Sequence, residues 1–92
     1  MKRVEWTGKA LSDLHRLHEF MVCANRAAAV RAVKSLTAAA GGLGANPRIG
    51  EALEEFAPAE VRRLLVGHYE MRYEVFESRV VVLRLWHTRE ER

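Results

Sequence analysis

Arg63, Arg72 and Arg84 stand among apolar residues in three β-prone runs, VRRLLVG, YEMRYEVF and VVVLRLWH, and Arg89 follows in WHTRE. A guanidinium holds carboxylates and phosphates through planar, charge-assisted hydrogen bonds, so a row of them is equipped to grip an acidic partner. Strand alternation puts Arg63, Arg72 and Arg84 on one face, interleaved with Leu65, Phe76 and Trp86. Aromatic groups framed by arginine are typical of binding surfaces, because they are costly to leave in water. The same pattern also describes a wet outer face on which Glu70 and Glu74 pair with arginines across the strands. From these residues alone the reading is a binding face whose partner is open.

Three further groups invite chemistry. Histidine is a plausible acid or base, so His87 invites that reading, but at the end of a strand a structural or interface role ranks ahead of catalysis. His15 and His18, three apart, with Glu19 beside them, could begin a metal site; no third ligand stands at suitable spacing, so solvated helix residues are the better reading and no metal is expected. Gly41, Gly42 and Gly44 lack the preceding strand, the following helix and the Lys-Ser/Thr of a phosphate-cradling loop, and read instead as a helix terminus. No cofactor is expected.

The elements that must position these residues follow from the hydrophobic period. Val4 to Thr7 is a short β-prone run ending at a good N-cap, Thr7. From about Gly8, Leu11, Leu14, Leu17 and Met21, with Ala10 and Phe20 beside them, form a stripe at helical spacing, while Lys9, Asp13, Arg16 and Glu19 fall outside it. Asn25 caps a second helix with Ala29, Val33, Leu36, Ala40 and Leu43 on its inner side, so a tight turn near Cys23–Asn25 joins two antiparallel helices. ANPRIG is a loop, and EALEEFAPAE an acidic connector with one short helical turn before Pro58. The last third forms a three-stranded antiparallel meander, with linkers at Gly67–His68 and Glu77–Arg79. Its inner face is expected to carry Leu64 and Val66, then Tyr69, Met71, Tyr73 and Val75, then Val81, Leu83 and Leu85. The fold class is α+β, one domain over residues 1–92.

Composition sets limits on function. The chain is 49% hydrophobic and 29% charged, which describes a globular rather than a disordered protein. A single cysteine, Cys23, excludes an internal disulfide and fits a reducing cytoplasm. No apolar run reaches the ~20 residues of a membrane span, and MKRVEWTGKA has no signal-peptide core, so a cytoplasmic location without membrane contact is expected. The net charge of +3 permits contact with an acidic partner without requiring nucleic acid.

The order strand, helical hairpin, NPRIGEAL, VRRLLVGHYEMRYEV and VVVLRLWHTREE resembles the RelE/ParE superfamily of bacterial toxins from type II toxin–antitoxin systems, over essentially the whole chain. The most specific parts are the R-x-L-x-x-x-x-Y-x-x-x-Y stretch from Arg62 to Tyr73 and WHTRE from Trp86 to Glu90. The resemblance implies one of two mechanisms. RelE-like members cleave mRNA in the ribosomal A site with a cluster of Lys, Arg and usually a late Tyr. ParE-like members lack that cluster and are associated with inhibition of DNA gyrase.

Cleavage through the 2′-hydroxyl needs a base or its equivalent, a donor to the leaving oxygen and positive charge at the developing phosphorane. Where RelE-like enzymes carry two lysines, this chain has Val61 and Arg63; where they place a catalytic arginine, it has Glu70, which would repel the scissile phosphate. Arg89 matches a RelE arginine across a one-residue gap, and the late tyrosine has no counterpart. The resemblance therefore favours the ParE-like branch, a binding toxin with no catalytic residues, held by a ParD-like or related antitoxin and directed at DNA gyrase. Its expected partner-binding residues are Arg63, Arg72, Arg84, Trp86 and Arg89. Direct nucleic-acid contact is expected only through the complex. The alternative is a ribosome-dependent mRNA endonuclease with Arg63, Arg72, His87 and Arg89 as an unusual catalytic set.

Overall fold

The computed structural model describes residues 1–90. Strand β1 (Arg3–Trp6) leads into α1 (Gly8–Val22) and α2 (Arg26–Gly42); β2 (Glu51–Ala52), a short 3-10 turn (Glu54–Phe56), β3 (Val61–Val66), β4 (Tyr69–Val75) and β5 (Arg79–His87) follow. The α+β class and the meander are as expected, but the sheet has five strands in the order β1-β5-β4-β3-β2. β1 lies parallel to β5, and β2 adds two residues opposite Arg62 and Arg63.

Local chemistry sets the helix ends. Thr7 Oγ1 accepts from the Ala10 N–H, and Asn25 Oδ1 accepts from the Ala28 N–H, each satisfying one orphan donor of a first turn. Gly67, at φ +60°, is the first of the two turn residues joining β3 to β4, a position that glycine fills without steric cost. Between helices and sheet lie Leu17, Leu36, Leu43, Met71, Tyr73, Val80, Val82 and Leu85, all buried.

Two expectations about faces need correction. On β5 the core residues are Val80, Val82 and Leu85 rather than Val81, Leu83 and Leu85. Arg72 pairs with Arg84 but Tyr73 with Val82, so Leu83 is an extra residue in a β-bulge, and the alternation changes phase there. On α1 the buried positions are Ala10, Asp13 and Leu17, whereas Leu11 is 54% and Phe20 80% exposed. The inner stripe runs through a carboxylate instead of Leu11.

The reason lies at the sheet edge. β1 pairs with β5 only as far as Val82, which leaves the backbone groups of Leu83 and Leu85 facing α1. Three polar side chains complete that edge. Thr7 Oγ1 donates to Leu83 O (2.9 Å), Leu85 N–H donates to Asp13 Oδ2 (3.0 Å), and Arg16 donates to Leu85 O (3.3 Å). A buried backbone group without a partner is costly, so Asp13 does for β5 what a neighbouring strand would do.

The loop before β2 is pinned from the opposite edge. Gly50 N–H donates to Tyr73 Oη (2.9 Å), and Arg62 donates to Gly50 O (2.7 Å). A Cβ at Gly50 would stand 2.6 Å from both Arg63 O and Tyr73 Oη. Gly50→Ala is therefore expected to destabilise the fold by about 1–3 kcal/mol, as overpacking does. Urea denaturation checks this, and an unchanged midpoint would contradict the close approach.

Candidate functional site

Register places the sheet arginines side by side: Arg63 opposes Arg72, and Arg72 opposes Arg84. In the adjoining row Leu65, Glu70 and Trp86 are aligned. Four of the expected residues, Arg63, Arg72, Arg84 and Trp86, thus share the face turned away from the helices. Phe76 does not join them. It lies beyond the end of β4, with the Arg79 guanidinium 4.8 Å from its ring centre.

Each arginine on this face already has a carboxylate. Arg63 donates to Glu51 (2.7 Å) and lies 3.9 Å from Glu70; Arg72 is 3.6 Å from Glu70; Arg84 donates to both oxygens of Asp13 (2.7 and 3.2 Å). Glu70 is only 2% exposed, so it is an internal counter-ion. The Glu51 hydrogen bond raises the Arg63 pKa, and the Asp13 hydrogen bond raises that of Arg84. Trp86, which the sequence leaves facing water, is 8% exposed. The guanidinium groups of Arg72 and Arg84 lie 4.7 and 5.2 Å from its ring centre, and Phe56 from the 3-10 turn stands 5.3 Å from Arg72. This is cation–π packing within the chain. Arg72 Nε is buried without a hydrogen-bond partner among the described residues.

His87 and Arg89 lie elsewhere. His87 opposes Tyr69, a core residue, and meets its ring edge-on at 5.4 Å, so it belongs to the helix-facing side. Its Nδ1 accepts from the Arg89 N–H (3.1 Å), which leaves the neutral ring's proton on Nε2, and His68 stacks on it at 6.1 Å. The structure therefore divides Arg63 and Arg72 from His87 and Arg89 by the thickness of the sheet.

Arg89 instead lines a cleft of about 570 Å³ that sequence reasoning missed. Leu17, Phe20 and Met21 of α1 form one wall and Tyr69 and His87 the other, with Arg16, Arg89 and Glu90 also lining it. Glu90 ties the cleft together, accepting from the His87 N–H (2.8 Å) and pairing with Arg16. The Tyr69 hydroxyl donates to Met21 Sδ, and burial raises its pKa. Phe20 was legible as apolar but not as uncovered.

Among the described residues no group of three potential ligands could hold a metal; His15 and Glu19 make only a 4.0 Å contact. No helix among them is long and apolar enough to cross a membrane.

The fold of this chain recurs in solved structures. The chain is similar to a chromosomal ParDE toxin–antitoxin system of P. aeruginosa, with a TM-score of 0.79, 22% identity, and coverage of 95% of this chain and 96% of that one. It is also similar to the RelBE2 toxin–antitoxin complex of Mycobacterium tuberculosis, with a TM-score of 0.68, 28% identity, and coverage of 94% and 96%. A comparison with curated proteins gave no match. Residues 4–92 match the family described as ParE toxin of type II toxin-antitoxin system, parDE. The chain belongs to that family, within the RelE/ParE superfamily of toxins.

Proposed function

We propose that this toxin acts in the cytoplasm by binding rather than by catalysis, that its target is DNA gyrase, and that a cognate ParD-like antitoxin neutralises it. The observation that carries the reading is the Glu70 cluster. A buried carboxylate lies within ion-pair reach of Arg63 and Arg72, the two cations a phosphoryl-transfer site on this face would turn toward the scissile phosphate. Compensated cations and a fixed negative charge stabilise a developing phosphorane poorly. The separation of His87 from those arginines across the sheet supports the same reading.

The antitoxin is assigned to the cleft rather than to the sheet arginines. Phe20 is 80% exposed beside Leu17, Met21 and Tyr69, and Arg16 and Arg89 stand with them. An amphipathic segment of the antitoxin, apolar at i and i+3 or i+4 and carrying a carboxylate toward Arg89, matches that surface. Such segments order as they bind.

Pulse-labelling of cells induced for this chain tests the target class. Thymidine incorporation is expected to fall within minutes while methionine incorporation continues, and purified gyrase is expected to lose supercoiling activity. The nuclease alternative, which the likeness to the RelBE2 complex keeps in view, requires the reverse: methionine falls first, and Arg89→Ala restores it.

A further inference from the structure

The basic surplus of the chain is not where the sheet arginines placed it. Arg48, Arg63, Arg72, Arg79 and Arg84 each have a carboxylate within ion-pair distance. On α2 the cations Arg26, Arg31 and Lys34 are exposed, and among the described residues none has such a partner. No acidic residue occurs between Glu19 and Glu51, so nothing on this helix offsets them. They do not serve the helix either. Arg26 occupies the first turn, where the macrodipole disfavours a cation, and no basic residue occupies the last turn.

We propose that the outer face of α2 is a contact surface for the phosphate backbone of duplex DNA. Arg26 to Lys34 span about 12 Å along a rigid helix, enough to reach successive phosphates of a strand. Between and beyond them the exposed residues are small: Ala27, Ser35, Thr37, Ala38 and Gly41. Val30, 47% exposed, is the largest apolar group among them. A protein partner of high affinity would need aromatic or large apolar anchors here, and the face has none. A polyphosphate backbone needs only cations and room for close approach. The choice of DNA over other polyanions rests on the gyrase reading, since gyrase works on a duplex. The expected contact is weak alone and adds to a complex already held on DNA by other surfaces.

Fluorescence anisotropy of the 92-residue chain with a labelled 20-base-pair DNA duplex tests this between 50 and 200 mM salt. Three phosphate contacts predict a slope of log K against log salt of about −2.7, a loss of roughly 40-fold over that range. The Arg26→Ala/Arg31→Ala/Lys34→Ala variant, whose exposed alanines favour the helix, is expected to lose the binding while keeping the wild-type circular dichroism. A Lys9→Ala control, at an exposed cation outside α2, is expected to retain it. The proposal is overturned by an unchanged slope in the triple variant, by no duplex binding at 50 mM salt, by binding of polyglutamate in place of DNA, or by tighter binding to an RNA duplex of the same sequence. The gyrase reading is scored separately by supercoiling. Duplex binding without gyrase inhibition leaves α2 standing and removes gyrase; inhibition without duplex binding does the reverse.

Discussion

Replacing Asp13 with alanine is expected to lower the stability of the fold by about 3 kcal/mol. The carboxylate is 5% exposed and accepts from Arg84, from Arg16 and from the Leu85 N–H. Removing it orphans a buried backbone donor, at about 1–3 kcal/mol, and strips a partly buried guanidinium of its partner. Asp13→Asn keeps an oxygen for Leu85 but loses the charge, so its cost is expected to be about half as large. Burial opposes ionisation of Asp13, but the hydrogen bonds from Arg84, Leu85 and Arg16 outweigh it and hold the pKa below its ordinary 3.8. With the folded pKa depressed, the stabilisation is fully present above the unfolded value and is lost as pH falls from about 4 through the folded pKa. Urea midpoints at pH 7 and pH 3 check this. Wild type should lose more on acidification than Asp13→Asn, and equal losses would show that the carboxylate is not ionised against Arg84. Arg84→Glu would set a second carboxylate against Asp13, so it would report on folding before it reported on binding.

What the sequence made legible was whatever depends on neighbours along the chain. Thr7 and Asn25 announce helix starts because a cap bonds within three residues of itself. The period-two runs announce β3 to β5 because pleating is local. The faces of β5 were lost because the bulge at Leu83 adds one residue, and alternation carries no sign of where its phase changes. The burial of Asp13 was hidden for a different reason: the donor that makes it favourable, Leu85 N–H, is 72 positions away. The sheet arginines were rightly placed on one face, yet their neutralisation by Glu51 and Asp13 depends on β2, a two-residue strand with almost no pattern, and on that same helix. Hydrophobic period also marks a residue as apolar without saying whether anything within the chain covers it. Ala10 and Phe20 both lie beside one stripe; the first is fully buried, and the second is left in water.

That exposure makes Phe20→Ala the most informative change for partner binding. The ring contributes little to the isolated fold, and alanine is the best helix former, so stability should stay within about 0.5 kcal/mol of wild type. Affinity for the antitoxin should fall by about 2 kcal/mol, roughly 30-fold, because an aromatic anchor in a desolvated pocket carries a disproportionate share of binding energy. The loss should be mainly in the dissociation rate, as affinity changes within one interface usually are. On the proposed gyrase reading, inhibition of supercoiling by the free variant should be unchanged, which separates the antitoxin surface from the target surface. Titration calorimetry of wild type and variant against the cognate antitoxin, with thermal unfolding run in parallel, decides the matter. An unchanged affinity would move the antitoxin off the cleft and back toward the sheet face. A loss of affinity accompanied by a loss of supercoiling inhibition would mean that one surface serves both partners, and that the antitoxin neutralises by simple occlusion.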